Sequence, residues 1–236
     1  MDPAPLLLTR PLARSQAFAA QALERLGPRP VIVSPILEIT PQGPPPDLSA
    51  CDALVLSSAS GLIQAPTHGW PQGMPAYCVG RKTARAAEQV GLHAISADGA
   101  AEDLIALLRR KAGGQRLCHL RGAHQAGDIA QNLAQAGVSI RSQIVYDQTA
   151  QKLSKTALDA LAQSQPLLIP VFSPRSAALL HPELKKARAK LCLAAISPAV
   201  AKALSVQSGA QIHVASRPDA DAVLDCLATF QNGLRS

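Results

Sequence analysis

The stretch LVLSSASGL, residues 54–62, is an apolar run that ends abruptly in small hydroxyl residues. Later in the chain, LLIPVFSPRSAAL, residues 167–179, follows the same plan with an apolar run that ends in Ser and Pro. Such a run, followed by turn-forming residues, is typical of a buried strand that leads into a turn and a helix N-terminus. The sequence therefore predicts two strand–turn–helix segments of similar design.

The same alternation of strand and helix extends over the rest of the chain. Short apolar runs predict strands at 5–9, 31–35, 52–57, 75–80, 115–122, 138–149, 167–173, 191–197 and 210–216. Apolar residues at helical spacing predict helices at 15–27, 82–91, 101–114, 128–137, 198–209 and 219–233. Because strand–helix–strand connections favour right-handed parallel crossovers, we predict an α/β fold with doubly wound parallel sheets.

Length and composition fit a folded protein of one large domain or two modest ones. The chain has 236 residues, of which 47% are hydrophobic and 17% are charged. It contains no apolar stretch of roughly eighteen residues, so no transmembrane helix and no membrane partner are expected. The N-terminal run LLLT is too short for a signal-peptide core, and a cytoplasmic protein is the simplest interpretation.

The charge balance suggests an anionic partner. The formal net charge is +7, from 23 basic and 16 acidic residues. Aromatic residues make up only 3% of the chain, so platforms for stacking bases are scarce and no nucleic-acid partner is expected. The densest basic run, KKARAK at 185–190, is predicted to lie on a solvated helix face. A small polyanionic substrate would suit the positive field.

Cysteine and histidine spacing gives no sign of a metal site. The five cysteines are widely separated and sit mostly in apolar runs, so they are interpreted as small core residues: Cys51, Cys78, Cys118, Cys192 and Cys226. The six histidines do not show metal-ligand spacing, and ordinary core or surface roles are expected for His119 and His124. We therefore expect no metal.

An internal repeat links the two serine-rich stretches. FSPRSA aligns with LSSASG so that Ser173 matches Ser58, and the segment around Ser197 aligns with the segment around Gly80. LCHLRG aligns with LLLTRP, which matches Arg121 with Arg10. The three matches occur in the same order and at nearly constant offsets, so they predict two similar α/β units.

Two such units facing each other would form a cleft with the serine turns on either side. In open α/β sheets, ligands bind beyond the carboxyl ends of the strands, and helix N-termini there favour anions. The serine turns are therefore predicted to form two halves of an anion-binding cleft. The alternative is that Ser58 and Ser173 are only helix N-caps, and the two interpretations are compatible.

An ordered set of short motifs resembles the uroporphyrinogen-III synthase family over nearly the whole chain. The motifs are Thr-Arg-Pro at 9–11, Pro-x-x-Glu-Ile at 35–39, Ser-Ser-Ala-Ser at 57–60, Val-Gly-x-x-Thr-Ala at 79–84, Leu-Arg-Gly at 120–122, Val-Tyr at 145–146, Phe-Ser-Pro at 172–174 and Ala-Ile-x-Pro at 195–198. The resemblance implies two α/β domains joined by a two-stranded ladder. One domain is formed by residues 1–35 and 150–236 and the other by 40–145, with hinge strands at 36–40 and 144–149.

The resemblance also implies an activity. Members of that family convert the linear tetrapyrrole hydroxymethylbilane, which carries eight carboxylates, into uroporphyrinogen III. Water leaves, ring D is inverted through a spiro intermediate, and the macrocycle closes without a metal or organic cofactor, which makes the enzyme a cyclising hydro-lyase and usually a monomer. Two alternatives remain open: a non-catalytic two-domain binding protein for a tetrapyrrole or other polycarboxylate, and a nucleotide-sugar transferase, although no Gly-x-Gly-x-x-Gly follows a strand.

Candidate site residues follow from the same resemblance. Tyr146 is the expected proton donor, with simple packing at the hinge as the alternative, and Thr83 is either a second catalytic hydroxyl or a helix cap. The expected substrate-binding residues are Arg10, Ser58, Ser60, Gly80, Arg121, Ser173, Pro174 and Ser197. The chain departs from the family at Ser60, Ser197, Ala199 and Val200, where other residues are common, so some hydroxyl groups of the site are expected to be missing.

Overall fold

A computed structural model of the protein describes residues 3–124, 129–135, 137–204 and 210–235, and the chain divides into two compact units. Unit 1 consists of Met1–Glu38 and Ala150–Ser236, and unit 2 consists of Ile39–Thr149. The elements along the described chain are β1 (Leu6–Leu8), α1 (Leu12–Leu26), β2 (Val31–Val33), β3 (Leu37–Pro41), β4 (Ala53–Leu56), a short 3₁₀ helix (Ala59–Leu62), β5 (Pro75–Cys78), α2 (Arg81–Gln89), β6 (His93–Ser96), α3 (Ala101–Lys111), β7 (Leu117–Gly122), α4 (Ile129–Gln135), β8 (Ile140–Ala150), α5 (Lys155–Ala162), β9 (Pro166–Val171), α6 (Pro174–Leu184), β10 (Lys190–Ala195), α7 (Pro198–Leu204), β11 (Gln211–Val214) and α8 (Ala220–Arg235).

Unit 1 is built on a five-stranded parallel sheet with helices on both faces. The strand order is β11-β10-β9-β1-β2, and each neighbouring pair runs parallel. Alternate residues of the central strands enter two separate cores. Leu7 and Ile169 pack in the core that includes α5, α6 and α7, whereas Leu6 and Leu168 pack in the core that includes α1 and α8. Strands buried on both faces account for the continuous apolar runs in the sequence.

Unit 2 repeats this plan around a six-stranded sheet. The strand order is β3-β8-β7-β4-β5-β6, and the pairs from β8 to β6 run parallel. Leu54 and Leu56 of β4 enter a core that includes α2, whereas Ala53 and Val55 enter a core that includes α3 and α4. The predicted α/β class with two doubly wound parallel sheets is confirmed.

Glycine ends two of the predicted helices at the expected positions. Gly27 (φ +80°) follows α1, and Gly91 (φ +85°) lies just past the end of α2. Glycine adopts this left-handed conformation without the penalty that a Cβ brings. Helix α1 starts at Leu12, three positions before the predicted start, with Pro11 as its N-cap.

Several sequence predictions differ from the structure. The run KKARAK at 185–190 is not a helix face, because α6 ends at Leu184. Its Lys and Arg side chains are exposed, Ala189 is buried, and Lys190 is the first residue of β10. Strand β6 and helix α5 were not predicted, and helix α6 was predicted only as the helix that follows the Ser173 turn, without bounds. The predicted helices at 128–137 and 198–209 are shorter among the described residues, and residues 128, 136 and 205–209 lie outside them.

The cysteines and the hydropathy of the helices complete the description. Cys51, Cys78, Cys118 and Cys192 are buried free thiols, as the core interpretation predicts, while Cys226 is partly exposed. Among the residues that the structure describes, no helix combines the length and the apolar character needed to cross a membrane.

Candidate functional site

Residues of unit 1 gather at the carboxyl edge of its sheet. Arg10 follows β1, Phe172 and Ser173 follow β9, and Ser197 lies two residues past the end of β10. Because β1, β9 and β10 are parallel neighbours, these residues leave the sheet at the same edge. In open α/β sheets, ligands bind beyond the carboxyl ends of the strands, which is this edge.

The Arg10 side chain packs on an aromatic ring at that edge. Its guanidinium carbon lies 3.9 Å from the centroid of the Phe172 ring. Phe172 itself is held edge-on by Phe18, with ring centroids 5.1 Å apart and planes at 79°. Burial and the nearby charge of Arg14 lower the pKa of Arg10 to about 10, so the group stays charged at neutral pH.

The serine turn of unit 1 caps a helix. Ser173 is the N-cap of α6: its hydroxyl accepts a hydrogen bond from the backbone N–H of Ser176 (3.1 Å) and donates one to the Ser176 hydroxyl (2.9 Å). Pro174 occupies the first helical turn, where its missing N–H is not needed. Ser197 plays a similar part before α7, where it accepts from the backbone N–H of Val200 at 3.4 Å.

The two departures from the family at the start of α7 have different consequences. Val200 is fully buried and packs in a core of unit 1. Ala199 is exposed. A hydroxyl at position 200 would therefore enter the core, and only position 199 offers a surface hydroxyl.

The serine turn of unit 2 is also a cap. Ser58 precedes the 3₁₀ helix and accepts a hydrogen bond from the backbone N–H of Ser60 at 3.2 Å. Ser58 and Ser173 are therefore both helix N-caps. The neighbouring Ser57 hydroxyl lies 3.3 Å from the Nε2 atom of His119, a buried side chain that occupies a core position on β7.

The glycine before α2 leaves open space. Gly80 is the N-cap of α2 in an extended conformation, and a Cβ built there would meet no atom within 4 Å. Packing therefore does not require glycine at this position. Thr83 lies one turn further on, with its side chain buried and its backbone N–H bonded to the Gly80 carbonyl at 3.0 Å.

Tyr146 and Gly122 face each other across β7 and β8. The register between these strands shifts after Arg121, so that Arg121 is opposite Ile144 while Gly122 is opposite Tyr146. A Cβ on Gly122 would lie 2.6 Å from the ring atom Cε2 of Tyr146 and 3.1 Å from its hydroxyl oxygen. Only glycine therefore leaves room for this ring. Arg121 lies within β7 rather than after it, and its guanidinium donates to the Gly122 carbonyl at 3.0 Å.

The family follows from a match along most of the chain. The family model described as "Uroporphyrinogen-III synthase HemD" matches residues 17–225. The chain belongs to the uroporphyrinogen-III synthase family. Membership of the uroporphyrinogen-III synthase family confirms the function predicted from the motifs and does not favour the binding-protein alternative. The family supports an enzyme of heme biosynthesis with a small tetrapyrrole substrate.

Solved structures of uroporphyrinogen-III synthases share the fold. The uroporphyrinogen-III synthetase of Helicobacter pylori 26695 matches with a TM-score of 0.66 at 14% identity, over 96% of this chain and 99% of that chain. A mutant uroporphyrinogen III synthase of the extremely thermophilic bacterium Thermus thermophilus matches with a TM-score of 0.52 at 16% identity, over 98% of this chain and 99% of that chain. A search of curated proteins found no match.

The predicted uroporphyrinogen-III synthase site thus falls into three local groups. Arg10, Ser173, Pro174 and Ser197 share one edge of unit 1; Ser58, Ser60, Gly80 and Thr83 lie at two turns of unit 2; and Arg121 and Tyr146 lie on adjacent strands of unit 2. Phe172 and Gly122 were not predicted as site residues, although both belong to motifs that carry the family resemblance. In the described ranges, no three His, Cys, Asp or Glu side chains cluster in a way that could hold a metal ion.

Proposed function

We propose that this chain is the hydro-lyase that cyclises hydroxymethylbilane to uroporphyrinogen III. The observation that carries the proposal is the family match over residues 17–225. A bilane of this kind closes on its own without inverting ring D. The enzyme must therefore hold the two ends of the chain in the spiro geometry, which is an effect of proximity and orientation.

Departure of the terminal hydroxyl needs a proton, and Tyr146 is the residue proposed to supply it. A tyrosine phenol is protonated at neutral pH and can donate. The proposal is supported by the packing at Gly122, which seats the ring against β7 and so fixes the direction of its hydroxyl. Thr83 is proposed as a second hydroxyl that contacts the substrate.

The carboxylates of the substrate are proposed to be bound by arginines, turn backbones and hydroxyls. Arg10 and Arg121 provide charge, and the proposed partners at the turns are Ser58, Ser60, Gly80, Ser173, Pro174 and Ser197. Both arginines occupy corresponding places in the two units, beside or at the end of a buried strand. A guanidinium can bind a carboxylate through two parallel hydrogen bonds, which fixes orientation as well as affinity.

We also propose that residues 36–40 and 144–149 act as a hinge between two domains, and that the enzyme works as a cytoplasmic monomer without a cofactor. Each unit has its own sheet and its own pair of cores, and the chain passes between them only at Glu38–Ile39 and Thr149–Ala150. Two crossings leave domain motion as the default expectation. Small-angle scattering with and without uroporphyrin tests the hinge, and identical profiles would contradict it.

Isomer analysis of the product tests the activity. The protein is incubated with freshly generated hydroxymethylbilane, and type I and type III uroporphyrinogens are separated after oxidation. The type III isomer should dominate, whereas a protein-free reaction should give type I. A binder without activity would leave type I dominant in the presence of the protein, and that result would overturn the proposed function.

A further inference from the structure

The arginine above the Phe172 ring lacks a carboxylate of its own. No ion pair or hydrogen bond joins the Arg10 guanidinium to another side chain or carbonyl within the described ranges, although the residue is partly buried. By contrast, Arg25, Arg81, Arg116 and Arg217 each pair with an aspartate at more exposed positions. A partly buried arginine without an anionic partner is unusual in a folded protein.

A second arginine, Arg14, lies four residues after Arg10 in the chain. Arg14 lies in the first turns of α1, is also partly buried, and its charge contributes to the lowered pKa of Arg10. Two like charges at one place destabilise each other unless an anion lies between them. Among the described residues, no acidic side chain forms an ion pair with Arg10 or Arg14.

Neighbouring side chains fix the position of Arg10. The Ser15 hydroxyl, which is fully buried, donates to the Arg10 carbonyl at 2.8 Å and fixes the backbone. Phe172 covers one face of the guanidinium, and Phe18, which is buried in α1, fixes Phe172. Stacking of this kind uses the face of the guanidinium and leaves its N–H edge available for a carboxylate.

We propose that Arg10 and Arg14 form a carboxylate-binding pair, with Phe172 as the positioning residue that presents Arg10. This inference rests on the proposed function and names the part of the substrate that is bound: an acidic side chain of the linear tetrapyrrole. The adjacent N-terminus of α6, which begins directly after Phe172 and Ser173, adds a favourable dipole at the same edge.

Binding of uroporphyrin, a stable octacarboxylate, tests the pair without turnover. Titrations followed by porphyrin fluorescence anisotropy compare the wild type with Arg10→Met, Arg14→Met and Phe172→Leu. Affinity should fall about tenfold for Arg10→Met and about two- to fivefold for each of the other two. Arg188→Met is the matched control, because Arg188 is an exposed arginine of the same unit that precedes β10, at the opposite edge of the sheet.

A double variant separates a positioning role from general packing. If Phe172 acts through Arg10, Phe172→Leu should weaken binding in the wild type and have no further effect in the Arg10→Met background. Phe172→Tyr keeps an aromatic ring face and should bind uroporphyrin with wild-type affinity. Melting temperatures identify any variant that fails to fold, in which case Arg14→Met and Phe172→Tyr still test the pair.

The outcomes distinguish this inference from the proposed function. Wild-type affinity in Arg10→Met and Arg14→Met, or equal losses for Phe172→Leu in both backgrounds, would overturn the inference while the wild type still forms type III product. Uroporphyrin binding that depends on Arg10, in a protein that forms no type III product, would support the carboxylate pair and overturn the proposed activity. In an active enzyme, Arg10→Met should raise KM more than it lowers kcat.

Discussion

The Tyr146 ring packs against Gly122 in the proposed catalytic region. The phenol lies on β8 and the glycine on β7, and the register shift between the two strands brings them face to face. The arrangement couples two motifs that are separated in sequence, Leu-Arg-Gly and Val-Tyr. Substitutions at each position test different parts of the proposal.

Replacing Tyr146 with Phe should lower the rate of type III formation and leave the fold intact. The ring stays, so packing in the core of unit 2 is retained and only the hydroxyl is lost. General-acid catalysis contributes roughly a hundredfold to ten-thousandfold, and we expect the lower end because orientation of the substrate survives. The measurement is the type III rate alongside the melting temperature. An unchanged rate would remove Tyr146 from the mechanism.

Replacing Gly122 with Ala should displace the Tyr146 ring. The added Cβ would lie 2.6 Å from the ring, which requires a shift of the ring or of the strand, and overpacking of this kind costs about 1–3 kcal/mol. Both stability and the type III rate should fall. Gly113→Ala is the matched control, because its Cβ would meet no atom within 4 Å.

The double variant shows whether Gly122 acts through the phenol. If it does, Gly122→Ala should reduce the rate of the wild type but leave the rate of Tyr146→Phe unchanged. Equal reductions in both backgrounds would mean that Gly122 supports the fold rather than the hydroxyl.

At the residue scale, the sequence motifs identify single candidate residues but not the contacts between them. Tyr146 and Arg10 stand in motifs that a reader of the chain can recognise. Their partners Gly122 and Phe172 belong to neighbouring strands that are distant in sequence, and the Gly122 contact also depends on a register shift between β7 and β8. A periodic pattern carries no information on such cross-strand contacts.

At the element scale, two serines of unit 1 cap the N-termini of helices. Ser173 satisfies the N-terminus of α6 and Ser154 satisfies that of α5, where its hydroxyl accepts from the backbone N–H of Ala157 at 3.3 Å. Only Ser173 is proposed to contact the substrate as well. The two caps therefore form a matched pair for separating stability from binding.

Ser173→Ala and Ser154→Ala should both lower stability by about 0.5–2 kcal/mol, because each leaves a helix N–H without its cap. Only Ser173→Ala should also weaken uroporphyrin binding, and only in part, since neighbouring N–H groups would retain some of the affinity. Urea denaturation and anisotropy titration give the two quantities. A Ser173→Ala protein with unchanged affinity would restrict this serine to capping.

An exposed ion pair joins Asp52, just before β4, to Arg116, just before β7. Its contribution to the stability of the fold should depend on pH. The Arg116 side chain donates to both Asp52 carboxylate oxygens, and the Arg116 backbone N–H donates as well. These hydrogen bonds, the side-chain ones first, lower the pKa of Asp52 to about 2. Because the folded-state pKa lies below the unfolded value of about 3.9, the stabilisation is present above about pH 4 and is lost as the pH falls towards about 2.

Asp52→Asn should therefore be less stable than the wild type near neutral pH, and the difference should narrow as the pH drops from about 4 to about 2. Urea denaturation at several pH values provides the measurement. In an Arg116→Ala background, the Asp52 substitution should show a smaller pH dependence, because only the backbone hydrogen bond from residue 116 remains. A stability difference between the wild type and Asp52→Asn that stays constant down to the lowest pH would contradict the lowered pKa of Asp52.

Strong periodicity predicted most strands and helices, and the misses have local causes. Strand β6 is only four residues long, HAIS, and follows α2 after a short turn. Helix α6 was predicted to follow the Ser173 turn but without bounds, because Pro182 interrupts its helical pattern. The basic run 185–190 was predicted as helical from charge alone, whereas the helix ends before it.

At the scale of the whole molecule, charge should govern the response to ligand. The net charge is +7 and the proposed substrate is a polycarboxylate. Uroporphyrin at about a hundredfold above its dissociation constant should stabilise the fold by about 2.7 kcal/mol, or about 5–10 °C in melting temperature. The shift should shrink between about 0.1 M and about 1 M salt, as screening shortens from about 10 Å to about 3 Å.

Coproporphyrin, which carries fewer carboxylates, is the control and should give a smaller shift at low salt. Equal shifts for the two porphyrins, or shifts that do not respond to salt, would show that the macrocycle rather than its carboxylates provides the binding energy.

The division of the chain into units also determines the order in which the two units can fold during synthesis on the ribosome. Unit 2 is one continuous segment, whereas β1 of unit 1 pairs on one side with β2 and on the other with β9, through Leu6 and Leu168. At about 5–20 residues per second, that second partner emerges roughly 8–30 s after β1. During this interval the β9 side of β1, whose three leucines are fully buried in the finished protein, remains unpaired on the nascent chain. The central unit can be complete first, and the unit built from both ends of the chain must be the last to close.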